Sequence, residues 1–172
     1  MKIGVLSDTH GNVRRTRTAI ALLRSHNIER IIFCGDAGSE AILDELVAGF
    51  CANDIPVHAV LGNVDLWDAD IVQYPAETGL DMMGHEGELE WNGKRIAILH
   101  GHEGLRLQAA VQSGAYDYIF TGHTHEADDR MVGNTRLINP GAVHRSAAPS
   151  IAVLDLETGE LEHLLLNSQV HD

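Results

Sequence analysis

The sequence predicts an α/β fold that opens as a run of βα units on a mainly parallel sheet and closes in antiparallel hairpins. Two patterns carry this reading: apolar β-type runs alternate with helical periodicity up to about Val64, and from Gly79 the runs shorten and flank turn-forming pairs. Length supplies a third argument. A chain of 172 residues can bury one continuous core without disulfides or a structural metal, so a single domain over residues 1–172 is expected.

Lys2 to Ser7 is a short apolar run (Ile3, Val5, Leu6) that stops at Asp8-Thr9-His10-Gly11-Asn12, after which Val13, Ala19, Ile20, Leu22 and Leu23 recur at helical spacing. The unit repeats. Arg30 to Cys34 is a strand ending in Gly35-Asp36, and Ser39 is a fitting N-cap for a helix carrying Ile42, Leu43, Leu46 and Val47. A third strand, Val57 to Leu61, ends in Gly62-Asn63-Val64-Asp65, and three such units in series argue for a buried parallel sheet. Beyond Gly79, Glu88 to Trp91 and Arg95 to Leu99 flank Asn92-Gly93, a strong hairpin signal. Leu99 leads into His100-Gly101-His102, and a helix is expected over Glu103 to Gln112. The strand Tyr116 to Phe120 then runs into Thr121-Gly122-His123-Thr124-His125. The tail reads as two hairpins, Met131 to Ile138 around Gly133-Asn134 and Ile151 to Leu166 around Thr158-Gly159. No linker, repeat or low-complexity tract divides the chain.

Charge narrows the function classes. Twelve Lys and Arg against twenty-five Asp and Glu give −13, which repels DNA, RNA and anionic lipid at long range, so bulk nucleic-acid binding is not expected. A small phosphate ester stays within reach, because divalent cations in a cleft invert the local field. No apolar run approaches the roughly 20 residues of a membrane helix, and Met-Lys-Ile-Gly is not a signal peptide, so no membrane contact and a cytoplasmic location are expected. Cys34 and Cys51 form no disulfide framework and no C-x-x-C pair, and read as small buried hydrophobes.

The unusual polar clusters fall just after the predicted strands, and ligands of open α/β sheets bind outside the carboxyl ends of strands. Asp8 and His10 are two apart on one loop, where Gly11 lets the backbone turn. The Asp36 carboxylate can bridge two ions, Asn63 offers an amide oxygen, and His100, His123 and His125 offer imidazoles. This set of N and O donors without thiolate suits Mn²⁺, Fe²⁺, Ni²⁺, Zn²⁺ or Mg²⁺ better than a closed structural zinc site. Taken singly, a strand-end Asp is a turn former or cap. His26, His58, His85, His163 and His171 are expected to be ordinary surface or core histidines. Seven donors at five strand ends are a different matter.

The ordered series Asp8-x-His10, Gly35-Asp36, Gly62-Asn63-x-Asp65, His100-Gly101-His102 and Gly122-His123-x-His125 resembles the calcineurin-like metallophosphoesterase superfamily. Short length, the opening Asp8-Thr9-His10-Gly11-Asn12 and the later Asn139-Pro140-Gly141 make it most similar to the small bacterial and archaeal phosphodiesterase branch. The resemblance implies a four-layer α/β/β/α sandwich of two mixed sheets flanked by helices. It implies two divalent metal ions, manganese foremost, with Asp8, His10, Asp36 and His125 around one and Asp36, Asn63, His100 and His123 around the other, Asp36 bridging. His102 and Asp65 would orient the ligands from behind, and Asn12, with Asn63, would touch the substrate phosphate. The implied reaction is hydrolysis of a phosphodiester: ions about 3.5–4 Å apart generate a hydroxide that attacks phosphorus in line. No covalent intermediate is required, since no Ser or Cys occupies a nucleophile elbow. A non-catalytic metal-binding scaffold of the same fold and a metal-dependent phosphomonoesterase are the alternatives, and an oligomer is left open.

Two positions depart from the family pattern. Val64 stands where many members have a His that protonates the leaving group, and Ala142 follows Asn-Pro-Gly where the short branch often has Ser. His144 and Arg145 lie close behind and offer a substitute donor, against the simpler reading as a solvated loop.

Overall fold

The computed structural model describes residues 1–166. Strands β1 (Lys2–Leu6), β2 (Arg30–Phe33), β3 (Val57–Ala59) and β4 (Leu80–Met82) run parallel in one sheet. On the β1 side this sheet is extended by β10 (Ser150–Asp155) and β11 (Leu161–Leu165), giving the order β11-β10-β1-β2-β3-β4 with both added strands antiparallel to their neighbours. The second sheet has the order β5-β6-β7-β9-β8, from β5 (Glu86–Trp91), β6 (Lys94–Leu99), β7 (Tyr118–Phe120), β8 (Ala127–Val132) and β9 (Thr135–Pro140). Here β6, β7 and β9 are parallel, and β5 and β8 are antiparallel edges.

Each buried strand divides its side chains between two layers. Ile3, Val5, Ile32, Cys34 and Val60 of the first sheet meet Ile96, Ile98, Phe120 and Ile138 of the second, which forms the core between the sheets. The opposite faces of β1 to β3, with Leu6, Ile31, Phe33, Val57 and Ala59, pack on helices α1 (Val13–Arg24) and α2 (Glu40–Gly49). Helix α1 buries Thr16, Ala19, Ile20 and Leu23, the i, i+3, i+4, i+7 stripe of an amphipathic helix. On the far side, Leu107, Ala110 and Val111 of helix α4 (Gly104–Ser113) cover Ala97, Leu99, Ile119 and Leu137. Helix, sheet, sheet, helix: the four layers follow from three apolar interfaces, and strands buried on both faces explain the near-continuous apolar runs.

The elements match the sequence reading with two differences. The third βα unit carries only a one-turn helix, α3 (Ala69–Val72), whose first N–H groups are capped by Asp68; the chain then turns at Pro75 into β4, which extends the parallel sheet. The hairpin β8/β9 does not remain purely antiparallel, because β9 also docks parallel on β7 with Tyr118 opposite Arg136. Asn92 and Gly93 both have positive φ (51° and 70°), as the predicted two-residue turn between β5 and β6 requires. No described helix is long and apolar enough to cross a membrane.

Candidate metal centre

Five strand ends deliver the predicted residues to one edge of the sandwich: Asp8 and His10 after β1, Asp36 after β2, Asn63 after β3, His100 after β6, and His123 and His125 after β7. Both sheets contribute. The loops are laced together by backbone hydrogen bonds, the N–H groups of Asp8, His10 and Gly11 donating to the carbonyls of Gly35 (3.0 Å), Asp36 (3.1 Å) and Ala37 (2.7 Å). His144 N–H donates in turn to the Asp8 carbonyl at 3.1 Å. Asp8, His10, Asp36, His123 and His125 all hold left-handed backbone, with φ between 45° and 68°. Non-glycine residues adopt that region at a cost of order 1–3 kcal/mol each, and such strain clusters where side chains must converge.

Hydrogen bonds to carbonyls fix two ring tautomers. His100 Nδ1 is 2.8 Å from the Cys34 carbonyl and His125 Nδ1 is 3.0 Å from the Arg145 carbonyl. A carbonyl only accepts, so each Nδ1 carries the proton and each neutral ring presents its Nε2 lone pair. These lone pairs face further polar atoms. His100 Nε2 lies 3.2 Å from Asn63 Oδ1 and 3.3 Å from Asp36 Oδ1; His125 Nε2 lies 3.1 Å from His10 Nε2 and 3.2 Å from Asp8 Oδ1. Asp36 Oδ2 is 3.8 Å from His10 Nε2, so Asp36 spans the gap between His10 and His100. Asp8 is fully buried; its Oδ2 accepts from His123 N–H (3.0 Å), while Oδ1 has no hydrogen-bond partner among the described residues. Ring lone pairs facing carboxylate oxygens, one of them bare and buried, call for a cation.

The titration directions differ between the rings. Burial pulls His100 down, but Asp36 and Asp8 outweigh it and raise the ring above its ordinary value. Burial pushes Asp36 up, yet His100, the Val64 N–H and His10 bring it below the usual carboxylate range. His10 is lowered, chiefly by burial against the pull of Asp36 and Asp8, which favours the neutral ring a metal requires.

Two sets of donors converge within 4.8 Å among the described residues, one of Asp8, His10 and His125 and one of Asp8, Asp36 and His100. Asn63 adjoins the second through His100. His123 falls outside both, its ring edge-on to His100 with centroids 5.2 Å apart. Asp8, shared by both sets, is as central as Asp36, a point the sequence reading missed. Asp65 stands behind the ligands. Its carboxylate accepts from Gly62 (2.8 Å), Ala37 (3.2 Å) and Gly38 (2.9 Å), clamping the loop that carries Asp36 to the loop that carries Asn63. Burial, despite those three donors, lifts its pKa. His102 sits 5.5 Å from His100 by centroids; its buried Nδ1 has no partner among the described residues, and burial and His100 lower its pKa.

Asn12 caps α1, its Oδ1 accepting from Arg15 N–H at 3.0 Å, which turns the amide nitrogen towards His144 Nδ1 at 3.3 Å. His144 Nδ1 therefore accepts, and the proton rests on Nε2; burial and the charges of Arg15 and Arg145 keep the ring below its ordinary pKa. Ala142 is fully buried, so the departure from Ser at that position falls in the interior. Asn139, noted in sequence only as part of Asn-Pro-Gly, holds the β7 loop by donating to Gly122 O (2.7 Å) and Thr124 Oγ1 (3.1 Å). The remaining described histidines have structural partners: His26 with Leu22 O, His58 with Asp81, His85 with Glu103 and His163 with Asn139 O. His171 lies outside the described residues.

A four-layer sandwich with Asp, Asn and His donors gathered at its strand ends defines a metal-dependent phosphoester hydrolase. The family model of the calcineurin-like phosphoesterase superfamily domain matches residues 1–159, and the chain belongs to that superfamily. It is 32% identical over 169 residues to a phosphodiesterase of Methanocaldococcus jannaschii, covering 96% of this chain and 99% of that protein. A solved structure of an archaeal phosphodiesterase superposes with a TM-score of 0.85 at 30% identity, covering 96% of this chain and 99% of the other. The Zn²⁺ complex of Vps29 from Entamoeba histolytica shares the fold at a TM-score of 0.67 and 19% identity, with 97% and 100% covered.

Proposed function

We propose that this phosphoesterase is a phosphodiesterase using two divalent ions, manganese foremost and iron, nickel, zinc or magnesium as alternatives. In this reading Asp8, His10, Asp36 and His125 hold one ion, and Asp36, Asn63, His100 and His123 the other. The observation that carries it is the bare Oδ1 of the fully buried Asp8, set beside the inward lone pair of His125 and 3.9 Å from His10 Nε2, with Asp36 reaching from His10 to His100. Bound there, the ions would lower the pKa of a water towards neutrality and offset charge on the phosphate oxygens.

The chain's own residues do the positioning. The Cys34 and Arg145 carbonyls lock the His100 and His125 rings with Nε2 inward, and such outer partners tune affinity as well as orientation. Asp65 keeps Asp36 and Asn63 in mutual register, and His102 flanks His100. Asn12 presents an amide at the rim for a phosphate oxygen. The diester preference draws support from the M. jannaschii relative named a phosphodiesterase, and the net charge of −13 favours a small ester over a polyanion. A full donor set speaks against a scaffold that has lost catalysis. The test is a rate comparison on p-nitrophenyl mono- and diesters with Mn²⁺ added to chelated protein. Faster diester hydrolysis is expected. Faster monoester hydrolysis, or none of either, would overturn the reading.

A further inference from the structure

The strap 141–149, which links β9 of the second sheet to β10 of the first, is bound to the metal loops at several points. Val143 N–H and His144 N–H donate to the carbonyls of Ser7 (3.0 Å) and Asp8 (3.1 Å), the Arg145 carbonyl accepts from His125 Nδ1 (3.0 Å), and Ser146 Oγ donates to His125 O (3.2 Å). Helix α1 and its cap join in, Arg15 Nη1 donating to Val143 O (3.4 Å) and the Asn12 amide to His144 Nδ1 (3.3 Å). Within this strap Arg145 holds left-handed backbone (φ 58°), and its side chain is exposed. Burial is the main cause that lowers the His144 ring, and the charges of Arg15 and Arg145 add to it; Arg145 adds likewise to the burial that lowers His10. The Arg145 guanidinium therefore lies within electrostatic range of both rings. Three donating side chains, Arg15, His144 through Nε2–H, and Arg145, gather on the Asp8 and His10 side of the site.

We infer that Arg145, together with Arg15, is a substrate-positioning residue that holds a second anionic group, a phosphate or carboxylate on one arm of the phosphodiester. The inference rests on the diester reading above. Neither arginine pairs with a carboxylate among the described residues, although acids outnumber Lys and Arg twenty-five to twelve and Arg17, Lys94, Arg106, Arg130 and Arg136 each have such a partner. The two segments that meet at the strap carry no acid of their own: none occurs between Asp8 and Glu29 or between Asp129 and Asp155. Across the site the signs reverse. No Lys or Arg lies between Arg30 and Lys94, and the strand order β10-β1-β2-β3 sets the Asn63 loop, with Asp68, two strands away from β1. An ester that suits both sides turns an anionic arm towards the strap. Two divalent ions already offset Asp8, Asp36 and the single charge of a diester, so the arginines answer to a further anion. A guanidinium grips a carboxylate or a phosphate through paired N–H donors. The charge of −13 keeps that anion to a small molecule, since a long polyanion is repelled.

The experiment compares wild type, Arg145→Gln and Arg145→Lys, all loaded with Mn²⁺, on p-nitrophenyl phosphodiesters that share a leaving group and differ in the other arm: propyl, carboxypropyl, or propyl ending in a phosphate. The carbonyl that fixes His125 is backbone and stays in place in both variants. Wild type should prefer the anionic arms over propyl in kcat/KM, and that preference should fall by about tenfold in Arg145→Gln, mostly through KM, the scale of one charge-assisted contact. Arg145→Lys, which keeps the charge and loses the fork, should retain part of it, and high ionic strength should erode it in wild type. The carboxylate and phosphate arms tell the two anions apart. A second readout needs no turnover: calorimetric binding of non-hydrolysable methylphosphonate esters with the propyl or carboxypropyl arm should give affinity ratios in the same order across the three proteins. A wild type indifferent to the arm, or a preference unchanged in Arg145→Gln, overturns the proposal; in the second case an equal loss on all three esters would put Arg145 on the scissile phosphate instead. Absence of diester hydrolysis with an Arg145-dependent affinity ratio retained would count against the diester reading and leave the anion site standing.

Discussion

Asp36 and Asp65 are carboxylates of similar burial with different duties. Asp36 reaches both His10 and His100, whereas Asp65 spends both oxygens on backbone N–H groups. Asp36→Asn should therefore reduce bound metal and lower hydrolysis far more than Asp65→Asn. Asp65→Asn should instead destabilise the fold by about 1–3 kcal/mol through buried N–H groups left facing an amide. Metal analysis and denaturant unfolding on both variants separate the two, and equal activity losses would contradict the assignment. His100 gives a pH test in chelated protein. Its folded pKa is raised above the ordinary 6.5, so the protonated ring stabilises the fold fully below about pH 6.5, and that stability is lost as pH rises through the folded value. His10 and His144, shifted the opposite way by causes other than His100, cancel when wild type is compared with His100→Gln; His102, lowered in part by His100, does not, so both proteins carry His102→Gln. The stability margin of wild type over the variant should shrink between pH 6 and pH 8; a margin that grows would refute the coupling of His100 to Asp36. Val64 bears on chemistry. If leaving-group protonation is worth roughly 10²–10⁴-fold, an enzyme without that donor should depend steeply on leaving-group pKa, with aryl diesters fast and alkyl diesters slow. Val64→His should flatten a plot of log rate against leaving-group pKa. A shallow slope in wild type would show another residue, His144 among them, already serving as the acid.

At the scale of elements, the strand-end loops were legible because each breaks an apolar run with Gly beside Asp, Asn or His, a change of chemistry plain in a linear sequence. Their lacing was not, since the bonds from Asp65 to the Asp36 loop and from Asn139 to the His123 loop join residues far apart in the chain. The glycines in these loops also acquire their reason in three dimensions. A Cβ on Gly62 would collide with the Asp36 carboxylate and backbone nitrogen, and one on Gly122 with Ser7 Oγ and the Asp8 carboxylate. Gly62→Ala should displace Asp36 and lower metal affinity by at least tenfold, as loss of an orienting partner does. Titration of chelated protein with Mn²⁺ reads this directly, and unchanged affinity would mean that the loops tolerate the shift.

Across the whole molecule, the site is split between the two sheets, with Asp8, His10, Asp36 and Asn63 on one and His100, His123 and His125 on the other. The packing of Ile3, Val5 and Ile32 against Ile98 and Phe120 therefore sets the spacing of the ligands as well as the stability of the fold. The α/β class and the parallel opening could be read from runs of apolar residues buried on both faces. The parallel docking of β9 on β7 could not, because a hairpin signal fixes only the local partner. Phe120→Ala should cost about 3–5 kcal/mol and weaken metal binding together, though Phe120 is not itself a ligand in the assignment above. The gathered donors should hold ions without which the ester is not hydrolysed. Chelated protein titrated with Mn²⁺, with hydrolysis of bis-p-nitrophenyl phosphate followed and bound metal counted, shows whether they do. Turnover should be absent from the stripped protein and rise to a plateau at two ions per chain; full activity in protein shown to be metal-free would refute the dependence.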